Sequence, residues 1–180
     1  GTAVHACFEQ ISWLHEPLPA WLAAPATAEQ QVAAAALRMP RVRELFTQAP
    51  GQQAYNEQAI EAISDKNEWI SGTIDRLVLT HDSSGNVIAA HIIDYKTNKP
   101  EPREGYADFY DWLMVHYQPQ MRQYRELIAR AFALPLERVS VSLLSCPRDF
   151  VKAPARVLTY TAKQWEYTPH FCQQELPGLL

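Results

Sequence analysis

Cysteine is scarce. Three in 180 residues, Cys7, Cys146 and Cys172, are odd in number, widely spaced and without a C-x-x-C pair. A disulfide framework is excluded, no iron–sulfur or zinc spacing is present, and the three read as free thiols. Long apolar runs are missing too. Nothing approaches the roughly 18–20 residues of a membrane span, and no signal-peptide pattern opens the chain, so the expectation is a soluble cytoplasmic protein without a membrane partner. Basic charge is also short, at 16 Lys and Arg against 20 Asp and Glu for a net charge of −4. That balance argues against a free-standing protein that grips nucleic acid through a broad basic surface. It leaves room for a site that gathers carboxylates around a metal ion, or for a domain tethered to a DNA-binding partner.

What is present is an ordinary globular mixture, 47% hydrophobic and 11% aromatic, enough for one domain with its own core. The chain begins Gly1-Thr2 inside what reads as a helix, so the expectation is a fragment of a longer protein. Apolar residues Val4, Phe8, Ile11 and Leu14 or Trp13 give helical spacing over 2–15, ended by Pro17 and Pro19. Thr27 suits the N-cap of a second helix that stops before Pro40, and Pro40 suits the start of a short third. Residues 17–50 therefore read as a helical insert or lid. The segment 54–63 is ambiguous between strand and helix, and Glu57 belongs to an edge strand if it is a strand. A long helical pattern covers 106–133, with Pro119 expected to bend or break it. Strands are expected over 138–146 and 155–160, then a short helix from Ala162. This order predicts an α/β fold with a mixed central sheet flanked by helices.

Residues 68–97 read as a β-hairpin, two β-branched segments around the polar turn His81-Asp82-Ser83-Ser84-Gly85-Asn86. With the turn centred between Ser84 and Gly85, partner numbers sum to 169, which sets Asp75 opposite Asp94. Directly opposed residues have Cβ atoms about 4.5–5.5 Å apart, and two carboxylates that close repel unless a cation lies between them. Strand alternation puts Lys96 on the face of Asp94. Two carboxylates and an ammonium thus converge. A plainer alternative is a surface ion pair between Asp75 and its neighbour Arg76.

Taken together, G-T-A-V-H at the start, G-T-I-D-R at 72–76, D-Y-K-T at 94–97 and Gln120-x-x-x-Tyr124 resemble the PD-(D/E)XK nuclease domain of the RecB and AddA type, found at the C-terminal end of bacterial helicase–nucleases that process double-strand breaks. The resemblance runs from Gly1 to about Tyr124. The family's usual proline before the first aspartate is absent. So is the four-cysteine arrangement of the related nucleases that carry an iron–sulfur cluster, which implies the cluster-free branch.

The resemblance implies a restriction-endonuclease-like core and a metal-dependent DNA nuclease. It implies His5, Asp75, Asp94 and the Tyr95 backbone carbonyl as metal ligands, and Asp75, Asp94 and Lys96 as the catalytic set. Gln120 and Tyr124 would border the site and contact the DNA strand or the lysine. Glu9 shares a helix face with His5 and has a lesser claim to a metal or supporting role. The cofactor implied is Mg²⁺, with Mn²⁺ able to substitute, because hard oxygen ligands and retained waters suit it. Implied partners are DNA, expected single-stranded, the helicase part of the same longer chain and a second subunit, in the bacterial cytoplasm. A catalytically inactive module that binds DNA or a partner is the alternative, marked by a lost aspartate or lysine; none is lost here. Lys99 and Arg103, in the loop after the hairpin, read as solvated surface before phosphate contacts. His15, His81, His91, His116 and His170 match nothing and read as structural.

Overall fold

A computed structural model of the chain describes residues 2–63, 66–149 and 153–166. Its elements run α1 (Thr2–Glu9), α2 (Ala28–Ala36), α3 (Pro40–Leu45), β1 (Gln52–Ile63), β2 (Trp69–His81), β3 (Val87–Lys96), α4 (Phe109–Ala131), β4 (Val139–Ser145), β5 (Arg156–Thr159) and α5 (Ala162–Glu166). The strands form one five-stranded sheet in the order β1-β2-β3-β4-β5. Only β3 and β4 run parallel. Parallel neighbours need a crossover, and α4 supplies it. The mixed sheet with helices is therefore as the pattern predicts. Among the described residues no helix is long and apolar enough to cross a membrane.

Helices cover both faces. Under α4 lie Ile74, Leu77, Leu79, Ile92, Val141 and Leu143, packed against Leu113, Met121 and Ile128. On the other face Val78, Ile93, Tyr95 and Leu144 pack against Val4, Phe8, Val32, Val42 and Phe46 from α1, α2 and α3. Residues expected to form an insert or lid are thus a layer of the core. Their local signals hold: Thr27 caps α2 in a reciprocal capping box with Gln30, and Pro40 opens α3.

The structure decides three points the pattern left open or misplaced. The ambiguous 54–63 segment is strand, and β1 forms the edge of the sheet. The first helix ends at Glu9, short of residue 15, because side chains capture the carbonyls that would continue it. Asn56 Nδ2 donates to the carbonyls of Glu9 and Ile11, and Arg76 donates to those of Ile11 and Ser12. Pro119 lies within α4 without ending it. Burial of Met121 and Tyr124 beyond it holds the helix on the sheet despite the missing N–H. The last helix occupies Ala162–Glu166. The expected C-terminal tail, with His170 and Cys172, lies outside the described residues.

Candidate active site

The hairpin register is the predicted one from Arg76 to Thr80, and shifts by one residue between Thr80 and His81, where His81 pairs with Val87. Arg76 pairs with Ile93, Leu77 with Ile92 and Val78 with His91, each pair summing to 169. Pairing stops one rung short of Asp75 and Asp94, and the strands change character there. Side chains two apart share a face of a regular strand. Yet Ile74 packs under α4 while Arg76, two residues on, lies between the Trp13 and Phe46 rings on the opposite face. In β1, Ala54 packs on the α1 side and Ile60 on the α4 side. One pleat is lost in both strands, and the ladder between them skips the rung of Glu57 and Asp75. Glu57 sits there with φ 53°, an uncommon left-handed conformation for this residue. Irregularities of this kind re-aim side chains in a sheet.

The plain ion pair between neighbours does not form, because Asp75 and Arg76 each have other partners. Arg76 is fully buried and donates to Asn56 Oδ1 at 3.0 Å as well as to the end of α1. It thereby ties β2 to the helix that carries His5. Asp75 instead accepts the backbone N–H of Tyr95 on Oδ2 at 2.6 Å and faces His5 Nδ1 with Oδ1 at 3.5 Å. Its hydrogen bond to Asp75 raises the His5 pKa above the ordinary imidazole value, against the opposing effect of burial. The Tyr95 N–H points toward β2, and in a strand the carbonyl of the same residue lies on the same edge. Its phenol is buried against His5 and Phe8, with no hydrogen-bond partner among the described residues.

Asp94 and Lys96 share a face, as the alternation predicts. Lys96 Nζ stands 2.5 Å from Asp94 Oδ2 and 3.8 Å from the centre of the Tyr117 ring. The Tyr117 hydroxyl donates to Asn98 Oδ1 at 3.2 Å. Burial pushes the Asp94 carboxyl above the usual carboxylate range, with the Lys96 ammonium pulling the other way and the Asp75 charge adding to the rise. From α4, Gln120 Nε2 donates to the Tyr124 hydroxyl at 3.1 Å. That hydroxyl reaches the strand opposite Gly72, where an added Cβ would stand 2.8 Å from it. The Tyr124 phenol is raised by burial first, opposed by the Gln120 bond and reinforced by the charges of Asp94 and Asp75.

One residue absent from the expected set joins the cluster. Ligand atoms of His5, Glu57 and Asp75 all lie within 4.8 Å of one another. Glu57 is exposed, and its carboxyl is raised by desolvation first and then by the charges of Glu9 and Asp75. Glu9 adjoins the cluster through a hydrogen bond to Glu57. A signal for Glu57 was available: the polar run from Ser64 to Glu68 reads as a second turn, and centring it on Lys66 sets Glu57 opposite Asp75. Carboxylate, imidazole and carbonyl donors on one spot suit a hard divalent cation.

Other expected residues lie outside the cluster. Lys99 is exposed, while Arg103 is half-buried with its guanidinium 4.3 Å from the centre of the Trp112 ring. His91 is held by Ser142, His81 lies against the Gly51 carbonyl, and His116 stacks on Trp112. Cys7 and Cys146 are free and buried. A cavity of about 570 Å³ is an apolar space between β1 and the end of α4 and is lined by none of the cluster residues.

The PD-(D/E)XK nuclease superfamily model matches residues 1–179. No curated protein matches the chain. Among solved structures, the fold is similar to that of a "Putative exonuclease" from Eubacterium rectale, with a TM-score of 0.51 and 11% identity. The alignment covers 94% of this chain and 56% of that one, so the chain spans little more than half that protein's length. Identity that low speaks for the fold alone. The family match covers nearly the whole chain, and the chain belongs to the PD-(D/E)XK nuclease superfamily.

Proposed function

We propose that the chain is a Mg²⁺-dependent deoxyribonuclease that hydrolyses phosphodiester bonds in DNA strands delivered by a helicase, in double-strand-break repair and recombination. The observation that carries this reading is the meeting of two assemblies where β2 and β3 part: His5 with Asp75 on one side, Lys96 held by Asp94 on the other. His5, Asp75, Asp94 and the Tyr95 carbonyl are the donors that would hold the cation. A bound divalent ion lowers the pKa of a coordinated water and offsets negative charge on the phosphate. Asp94 fixes the Lys96 ammonium from one side and the Tyr117 ring supports it from the other, so the charge is placed before substrate arrives. That ammonium orients the attacking water and balances the charge growing on the phosphate oxygens. Tyr124, held by Gln120, borders the path of the strand.

The net charge of −4 supports a division of labour in which most of the grip on DNA belongs to the helicase part of a longer chain, with or without a second subunit. Such a machine works in the bacterial cytoplasm.

End-labelled single- and double-stranded DNA incubated with Mg²⁺, Mn²⁺ or Ca²⁺ tests the proposal. Mg²⁺ and Mn²⁺ should support cleavage, and Ca²⁺ should bind without turnover. A Lys96→Gln chain that is folded by circular dichroism should cut no DNA. Cleavage in EDTA, or wild-type cleavage by that variant, refutes the reading.

A further inference from the structure

Resting on the metal-dependent reading above, we infer that Glu57 is a ligand of the site's divalent cation, so that the edge strand β1 supplies a fourth side chain beside His5, Asp75 and Asp94. The ligand atoms of Glu57, His5 and Asp75 lie within 4.8 Å of one another. Ligand atoms on opposite sides of one Mg²⁺ at 2.0–2.1 Å stand about 4.2 Å apart, so one ion gathers all three with a side-chain movement of about half an ångström.

The backbone is shaped to this end. An acid on the edge of a sheet is ordinarily a solvated side chain that any regular strand presents. Glu57 instead occupies φ 53°, which its side chain makes unfavourable, at the rung where both β1 and β2 lose a pleat. Because the slip occurs in both strands, Glu57 and Asp75 turn together toward His5. Among the described residues no Lys or Arg forms an ion pair with Glu57 or Asp75, and His5 is the one ion-pair partner of Asp75. Two acids and an imidazole without a Lys or Arg leave negative charge for a cation to neutralise. Lys96, the nearest cation of the site, is occupied by Asp94.

Mn²⁺ titrated into the full chain without DNA, with free Mn²⁺ read by electron paramagnetic resonance, tests the inference. Wild type should bind, and Glu57→Gln should weaken the Kd by about 10–100-fold, as should Asp75→Asn. Thermal unfolding supplies a second readout. Without metal, Glu57→Gln should melt at or above the wild-type temperature, because one of three crowded acids is neutral, and it should lose most of the Mn²⁺-induced rise. Mn²⁺ affinity within twofold of wild type for Glu57→Gln, with binding lost in Asp75→Asn, overturns the inference and leaves the metal-dependent reading standing. A Glu57→Gln chain that melts well below wild type without metal marks a structural side chain and also overturns it. Wild type that binds no Mn²⁺ overturns both.

Discussion

The Asp75 carboxylate accepts the Tyr95 N–H at 2.6 Å at the point where β2 and β3 cease to pair, so a side chain stands in for the next carbonyl of the ladder. Its other oxygen is thereby directed at His5. Asp75→Asn keeps an oxygen for Tyr95 and loses only the charge. The expected outcome is a folded chain whose cleavage rate falls at least about 100-fold. The His5 pKa, raised chiefly by Asp75, should return toward 6.5 in an NMR titration of the ring protons. A raised folded pKa gives stability that is full at low pH and lost as pH rises through that value. The variant should therefore lose this dependence, and His5 titrating as in wild type would contradict the assignment.

Gly72 is set by a neighbour and not by its backbone angle. A Cβ there would meet the Tyr124 hydroxyl at 2.8 Å and two ring carbons at 3.1 and 3.3 Å. Gly72→Ala must push the ring away from Gln120, at a cost of about 1–3 kcal/mol in urea unfolding. Adding Tyr124→Phe removes the nearest atom, so the double variant should lose less than the sum of the two single losses. Strict additivity in that cycle would show that the contact is not what excludes a side chain at this position.

His91 makes the stability of the sheet depend on pH. Burial, aided by the Arg76 charge, lowers its pKa from 6.5 to about 4 while it shares a 2.7 Å hydrogen bond with Ser142. Below about pH 6.5 the unfolded chain takes up a proton that the folded chain refuses until about pH 4. The His91 contribution to stability is therefore whole above pH 6.5 and falls as pH drops through that window, by about 3 kcal/mol across it. Urea midpoints from pH 7 to 4.5 should show the decline, and His91→Gln should flatten it.

The expectations that held are those with local causes. Register of Arg76–Thr80 against Ala89–Ile93 follows from a short connecting loop, even with the one-residue shift at His81, and the Thr27 cap and Pro40 start lie within a few residues of the helices they begin. What failed has distant causes. The end of α1 is decided by Arg76, 65 residues along the chain from the Ile11 carbonyl it captures. Arg76 beside Asp75 in sequence suggests an ion pair, yet neighbours on a strand alternate faces, and here each side chain has its own partner: His5 for Asp75, and the carbonyls at the end of α1 for Arg76. Glu57 was hidden for the same reason. Its place depends on the edge strand being a strand, on the register of β1 with β2 and on an unusual φ, none of which an isolated glutamate announces.

Asp94 and Lys96 show which half of a buried pair is expensive. Asp94 is 4% exposed, and Lys96 lies 2.5 Å from its Oδ2. Lys96→Met leaves a buried carboxylate without its cation, a change that costs about 3–5 kcal/mol in comparable pairs. Because burial already raises the Asp94 pKa, the orphaned carboxyl should take up a proton instead of remaining charged as pH falls. A carboxyl whose folded pKa lies above its unfolded value penalises folding above both and not below them, so the deficit of Lys96→Met relative to wild type should shrink as pH is lowered from 7 toward 4. Asp94→Asn added to Lys96→Met should recover most of the lost stability at pH 7, while DNA cleavage remains absent in both. Equal losses at both pH values, or no recovery in the double variant, would place the cost in the lost packing of the lysine stem on Tyr117 instead of in the charge.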